Sequence, residues 1–171
     1  MGGKGKGEKK RMNFENQQLI YHVSKEVVRN PEVRKTQFTK DFSWGFYCTA
    51  FWEQAVRWAN RGTGVPIVNF YEFKPNSDLK VLKFEEMNDA WLDFIAECRS
   101  GKAHGFDIVE GPMADDTIWN FVNDFLAGNI SRRQFWALAE FKHPTHQISF
   151  HTMTALQCLT FQKSEVCYDG Q

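Results

Sequence analysis

Short β-rich runs and amphipathic helical segments follow one another along this chain without a regular rhythm, and this order constrains the fold most. A repeating strand–helix–strand pattern would favour a parallel sheet covered by helices on both faces. Here two β-rich runs, 65–73 and 79–84, follow each other directly, and other runs are interspersed with helical segments. The sequence therefore predicts an α+β fold in which the strands pair mainly antiparallel.

The β-rich runs predicted as strands are 18–23, 44–49, 65–73, 79–84, 106–112 and 147–151. Apolar residues that recur at three- and four-residue steps predict helices over 51–61, 85–101, 115–129 and 131–141, with a helical turn and a last strand within 154–162. Ser131 is a predicted N-cap, and Gly101 is predicted near a C-cap. The turn-forming sequence KPNSD between runs 65–73 and 79–84 predicts a β-hairpin.

The length of 171 residues, with no repeat and no internal linker, predicts a single domain over 13–171. Residues 1–12 are predicted to be a disordered basic arm or a cloning remnant. The first eleven residues hold five of the 21 basic and one of the 21 acidic residues, so the remainder carries a net charge of −4. That balance excludes a broadly basic nucleic-acid clamp, and any nucleic-acid contact must be local.

The chain lacks signals for export or membrane insertion. No apolar run approaches the roughly 18 residues of a membrane helix, and no apolar stretch follows the basic N-terminus. Four cysteines without a C-x-x-C pair predict reduced thiols, and therefore a cytoplasmic protein without membrane contact. The late histidines lack a regular ligand spacing, so no metal is predicted.

Three short β-like segments combine polar and aromatic residues: Tyr21-His22, Gly45-Phe46-Tyr47 and the run from Gln147 to His151. The glycine-rich phosphate loops and the nucleophile elbow of common enzyme folds are missing. A Rossmann cofactor site and a nucleotide kinase are therefore not expected.

These segments lie within the blocks IYHVSK, KDFSWGFYCT, EQAVRWA, FDIVEGPMADD and HQISFHT, whose order resembles the ADP-ribosyltransferase superfamily in its diphtheria-toxin and poly-ADP-ribose-polymerase-like branch. Within it, they resemble most an uncharacterised bacterial domain family whose genes lie beside small partner genes in toxin–antitoxin-like pairs. The resemblance covers about residues 19–163. It implies a split two-sheet β core with flanking helices, NAD as co-substrate in a cleft between the sheets, and an antitoxin partner protein.

The resemblance assigns roles to individual residues. His22 would hydrogen-bond the adenosine ribose of NAD, and main-chain groups of Val23 would hold the nicotinamide amide. Tyr47 and Trp58 would stack on the nicotinamide ring, which aromatic faces favour as it becomes a leaving group. Ala55 stands where many relatives have a serine that binds the carboxamide, so that contact is in question.

Gln147 stands where the superfamily has its transferase glutamate. A glutamine keeps the hydrogen bond to the nicotinamide ribose but lacks the negative charge and the base. Polymer formation is therefore not expected, and the general base is unassigned. On a strand, Ser149 and His151 share the face of Gln147, which makes His151 a candidate for the base or for an acceptor-side contact.

Basic and aromatic residues near the predicted cleft are candidates for binding phosphate. Lys40 and Arg57 are predicted to hold the pyrophosphate of NAD. In the superfamily, the loop before the catalytic strand tends to choose the acceptor. Its basic and aromatic residues here favour RNA or DNA slightly over protein. The residues with this predicted substrate-binding role are Arg132, Arg133, Phe141, Lys142, His143 and His146.

Each assignment has an ordinary structural alternative, such as a hydrogen-bonded core histidine, aromatic packing, a strand end or a solvated loop. The remaining rings are assigned to the core or its rim, namely Phe42, Trp44, Phe46, Trp52 and Trp91. The interpretation that follows is a mono-ADP-ribosyltransferase toxin, with phage defence as its setting. The alternatives are a non-catalytic module that binds NAD, ADP-ribose or a partner, and an NAD glycohydrolase.

Overall fold

The computed structural model describes residues 18–36, 40–139 and 145–170. Within these ranges the strands are β1 (Gln18–Ser24), β2 (Phe46–Cys48), β3 (Ile67–Phe73), β4 (Val81–Lys83), β5 (Ile108–Gly111), β6 (Gln147–Phe150) and β7 (Leu159–Val166). The helices are α1 (Trp52–Ala59), α2 (Asp89–Arg99), α3 (Asp116–Leu126), α4 (Arg132–Leu138) and α5 (Met153–Leu156). Of these helices, none is both long and apolar enough to cross a membrane.

The strands form two sheets, with the orders β1-β3-β7 and β2-β6-β5-β4. The first sheet is antiparallel throughout, and in the second sheet only β4 and β5 run parallel. The predicted α+β class with mainly antiparallel pairing is therefore confirmed.

The predicted hairpin between runs 65–73 and 79–84 is wrong. β3 is the central strand of the first sheet, and it pairs on one side with β1 and on the other with β7. β1 and β7 thus occupy both edges of β3, and β4 pairs with β5 of the second sheet instead. The KPNSD sequence does form a turn, but this turn carries the chain from one sheet to the other.

Residue alternation along the strands produces two apolar layers. Phe46 and Cys48 of β2 face the core between the two sheets, where they join Ile20 and Phe150. Tyr47, which lies between them, faces the other side of the second sheet, where α2, α3 and α4 pack. Adjacent residues of one strand thus belong to different cores, as the period of two requires.

The helix ends follow from local chemistry. The Ser131 side chain accepts a hydrogen bond from the Gln134 amide and completes a capping box at the start of α4. After α2, Gly101 adopts a φ of +88°, a region that favours glycine. Both predicted caps are confirmed. Helix α1 packs on the first sheet through Ala55 and Ala59.

Candidate functional site

The two sheets meet at one point and then separate. Tyr21 of β1 and Thr49 beside β2 exchange two backbone hydrogen bonds of 2.9 Å. Beyond this bridge the described strands of the two sheets do not pair with each other, and the side chain of His22 occupies the opening between them. A cavity of about 210 Å³ lies there, bounded by His22 on one side and by Lys40 and Phe46 on the other.

His22 is held in a defined orientation. Its Nδ1 lies 2.7 Å from the carbonyl oxygen of Tyr47, and its ring stacks on Phe46 at a centroid distance of 4.0 Å. Burial lowers the pKa of His22 to about 4, so the ring is neutral at physiological pH. A carbonyl only accepts, so Nδ1 carries the proton, and Nε2 is left as an acceptor suited to a hydroxyl group.

Tyr47 contributes its ring face and not its hydroxyl. The hydroxyl donates to the carbonyl oxygen of Ser43 at 2.6 Å and accepts from the amide of Phe42 at 3.0 Å. The ring face lies 4.7 Å from the Nζ of Lys40, which also borders the His22 cavity. Lys40 therefore connects the cavity with Tyr47 and covers one face of the Tyr47 ring.

Gln147 is buried and lies on the same face of the second sheet as Tyr47. Its Nε2 donates to Asp41 Oδ2 at 3.1 Å and to the carbonyl oxygen of Pro112 at 3.3 Å. Asp41 also pairs with Arg99, and both side chains are only 5% exposed. Gln147 is thus part of a buried polar cluster, which we call the Asp41 cluster (Asp41, Arg99 and Gln147).

His151 is bonded at both ring nitrogens. Its Nδ1 lies 2.8 Å from the carbonyl oxygen of Trp44, and its Nε2 lies 2.7 Å from Ser149 Oγ. Burial lowers the pKa of His151 to about 4. A Cβ atom added at Gly45 would lie 2.9 Å from the ring, so this glycine permits the close contact. In this geometry His151 has no free nitrogen for the predicted role of base; it fixes the segment that leads into β2.

The two predicted pyrophosphate ligands lie in different places. Lys40 borders the His22 cavity, but Arg57 borders a second cavity of about 390 Å³ between α1 and the end of β7. Arg57 therefore does not border the His22 cavity, because α1 packs its alanine face on the first sheet and carries Arg57 on another face. Its contact with the pyrophosphate of NAD stays a prediction. Arg34, which the sequence analysis missed, borders the His22 cavity and pairs with Glu32 at 3.3 Å.

The structure does not bring the predicted aromatic pair together. Trp58 is half-buried on α1, and no ring contact joins it to Tyr47, although both residues are described. The side chain of Val23 packs with the apolar residues under α1, and Ala55 there is fully buried. Stacking by Trp58 and nicotinamide binding by Val23 stay predictions.

The predicted acceptor residues lie in different environments. Arg132 pairs with Asp89 at 3.2 Å and with Asp93 at 2.5 Å, whereas Arg133 is exposed. His146 is not part of an exposed basic surface. It is 8% exposed, its Nε2 lies 3.0 Å from Glu110, and its Nδ1 accepts from Ala50 at 3.1 Å. Phe141, Lys142 and His143 lie outside the described residues.

His146 is buried because the peptide before β6 packs against the start of α1. The side chain of Gln54 binds both the amide and the carbonyl of His146. Sequence alone does not show a contact between residues so far apart. Within the described ranges, no three His, Cys, Asp or Glu side chains are arranged to hold a metal ion.

The fold and the site define a small α+β domain with a cavity at the split between two sheets. The profile of a family described as a protein of unknown function (DUF3990) matches residues 18–161. The chain therefore belongs to the DUF3990 family. No curated protein and no solved structure matches it.

Proposed function

We propose that this DUF3990 domain is a mono-ADP-ribosyltransferase that uses NAD as co-substrate. The observation that carries the proposal is the position of His22 in the split between the sheets, beside the cavity and bonded to the Tyr47 carbonyl. A neutral imidazole with Nε2 as acceptor suits a ribose hydroxyl. The resemblance of the sequence blocks to ADP-ribosyltransferases supports the same assignment.

The cavity fits part of a dinucleotide. Sites for small molecules commonly measure about 300–1,000 Å³. The His22 cavity, at about 210 Å³, is smaller. We therefore propose that only one nucleoside portion of NAD lies beside His22, and that the nicotinamide ring reaches Tyr47 only after Lys40 leaves the ring face. Because an exposed cation–π contact contributes only about 0.5–1 kcal/mol, this movement is inexpensive.

In the proposed reaction the bond between nicotinamide and ribose breaks, and its electron pair leaves with nicotinamide. Positive charge develops at the anomeric carbon, and an acceptor nucleophile attacks from the opposite face and inverts it. The nucleophile loses its proton to a base. Gln147 can accept a hydrogen bond from the ribose, but a carboxamide cannot take that proton. The base therefore comes from another group or from the acceptor.

The acceptor we propose is a macromolecule, with RNA or DNA slightly favoured over protein. Among the described residues predicted for this role, Arg133 is the one that stays exposed without a carboxylate contact, because Arg132 is bound by Asp89 and Asp93. The setting we propose is a toxin of phage defence that an antitoxin partner neutralises, as the resemblance implies.

A non-catalytic module that binds NAD or ADP-ribose is a second candidate. Two observations favour it. Both N–H groups of Gln147 are directed to Asp41 and Pro112, and His151 has no free nitrogen to act as a base. Such a module would be stabilised by NAD against heat but would release no nicotinamide.

The test incubates the protein with NAD labelled in its adenylate part and with a whole-cell lysate, followed by separate RNase, DNase and protease digests. Incorporation into macromolecules that His22→Ala abolishes and Arg57→Ala preserves would support the transferase, and the effective digest would name the acceptor class. Arg57 is the matched control because it borders the other cavity. Free ADP-ribose without incorporation would indicate a glycohydrolase. If neither product forms, the non-catalytic binding module is the interpretation that remains.

A further inference from the structure

The Asp41 cluster gives a reason for glutamine at position 147. Asp41 Oδ1 lies 2.6 Å from Arg99, and its Oδ2 accepts from the Ala114 amide at 2.9 Å and from Gln147 Nε2 at 3.1 Å. The carboxylate thus keeps one oxygen for the guanidinium and uses the other to hold the glutamine. All of this takes place in the interior, where such contacts are strongest.

The amide of Gln147 has only one orientation that satisfies these partners. Asp41 Oδ2 and the Pro112 carbonyl both accept, so the nitrogen of the amide must face them. The carbonyl oxygen Oε1 then lies on the opposite side of the amide. None of the described residues donates a hydrogen bond to it.

A glutamate at this position would face the same partners without a proton to donate. Two carboxylates and a carbonyl would then lie within hydrogen-bonding distance, and like charges at that separation disfavour ionisation of both groups. Position 147 therefore suits a neutral amide.

We infer that Asp41 is a positioning residue that fixes the Gln147 amide with Oε1 directed to the ribose of the bound nucleotide. The inference rests on the proposed function for the identity of the ligand. Its structural half, that Asp41 orients the amide and excludes a carboxylate, stands on the cluster alone. Gln147 and Asp41 together then take the place of one catalytic carboxylate, with the negative charge held away from the substrate by Arg99.

The test is a double-substitution cycle on the full chain with Asp41→Asn, Gln147→Glu and their combination. Gln147→Glu is expected to lower the melting temperature by about 10 °C at pH 8, because a buried charge is set against Asp41. Adding Asp41→Asn is expected to recover at least half of that loss. The carboxyl carbon signal of the introduced side chain should titrate well above the ordinary value of about 4.3, and should move down when Asp41→Asn is added.

Gln54→Glu is the matched control. Gln54 is also a buried amide with bonds to main-chain groups, but its partners are Thr49 and His146 and not Asp41. Its effect should add to that of Asp41→Asn without coupling.

Kinetics supply the second readout, at a temperature well below every melting point. Asp41→Asn alone is expected to lower kcat for nicotinamide release by about tenfold or more, with a smaller change in KM, because the amide loses its orientation. A purely structural residue would leave kcat of the folded fraction unchanged.

The outcomes separate the two proposals. No coupling between positions 41 and 147, or an introduced carboxylate that titrates near about 4.3 beside the intact Asp41, would overturn the positioning role even in an active enzyme. An unchanged kcat in Asp41→Asn would also overturn it. If positions 41 and 147 are coupled but the wild-type protein releases no nicotinamide, the proposed function is overturned. The orientation of the Gln147 amide by Asp41 is then still supported.

Discussion

The two faces of β2 differ in how much room they leave for a ligand. On the face of Phe46, His22 borders a cavity and keeps Nε2 as an acceptor. On the face of Tyr47, the Asp41 cluster is closed, and both Asp41 oxygens and Gln147 Nε2 already have partners. For the proposed NAD site, this difference predicts that the nucleotide enters from the His22 side and reaches Tyr47 and Gln147 only when Lys40 moves.

The largest loss of stability is expected when Asp41 on the closed face is replaced. Asp41→Ala leaves Arg99 buried at 5% exposure without its carboxylate, and should lower the free energy of unfolding by about 3–5 kcal/mol. Urea denaturation measures this loss. Asp78→Ala, at an exposed aspartate, should change the value by no more than about 0.5 kcal/mol. Equal effects of the two substitutions would show that the cluster does not stabilise the closed face.

Lowering the pH should reduce the stability of the protein through one buried histidine on each face. Burial lowers the pKa of His22 and of His151 to about 4, from an unfolded value of about 6.5. The unfolded chain binds more protons between these values, so stability is full above pH 6.5 and falls as the pH drops towards 4. Each histidine should contribute about 3 kcal/mol to this fall.

Urea denaturation across that pH range tests the acid effect. His22→Gln and His151→Gln should each reduce the slope of stability against pH, because glutamine does not titrate. Slopes identical to that of the wild type would contradict the buried, neutral state of these rings.

An intermediate effect is expected where the two faces join, at Gly45. Gly45→Ala places a Cβ atom 2.9 Å from His151 and 3.1 Å from the Phe150 carbonyl oxygen, which should cost about 1–3 kcal/mol. Gly105→Ala is the matched control, because nothing lies within 4 Å of its added Cβ. Calorimetric melting compares the two. If Gly45→Ala melts no lower than Gly105→Ala, the close contact between Gly45 and the His151 ring is contradicted.

The smallest change in stability should come from Lys40→Met on the open side. The substitution removes a cation–π contact with Tyr47 and should alter the free energy of unfolding by at most about 1 kcal/mol. NAD affinity should nevertheless fall, because Lys40 borders the cavity and is suited to a pyrophosphate. Titration calorimetry with NAD provides the measurement. An unchanged NAD affinity would show that Lys40 does not contribute to nucleotide binding.

Local patterns predicted the helices, the two caps and the mainly antiparallel pairing, because periodicity and capping act over a few residues. Only the resemblance of the sequence blocks singled out His22, and its side chain does lie at the split between the sheets. The burial of His146 by Gln54 and Glu110 could not be predicted from the sequence, because these contacts join distant segments. The hairpin failed for the same reason, since β7 takes the free edge of β3 from far along the chain.

The Asp41 cluster shows this limit most clearly. Asp41, Arg99 and Gln147 come from a loop, the end of a helix and the start of a strand. Sequence reasoning found Gln147 as a departure from the superfamily pattern but supplied no reason for it. The reason appears only when the fold sets the amide beside a carboxylate.

An NMR titration of the protein with NAD, observed at the ring carbon signals of the five histidines, tests the proposed nucleotide site. The His22 signal is expected to move in proportion to saturation, while the signal of His146, buried against Glu110, stays in place. A His22 signal that does not move at saturating NAD would contradict a nucleotide site at the split between the sheets.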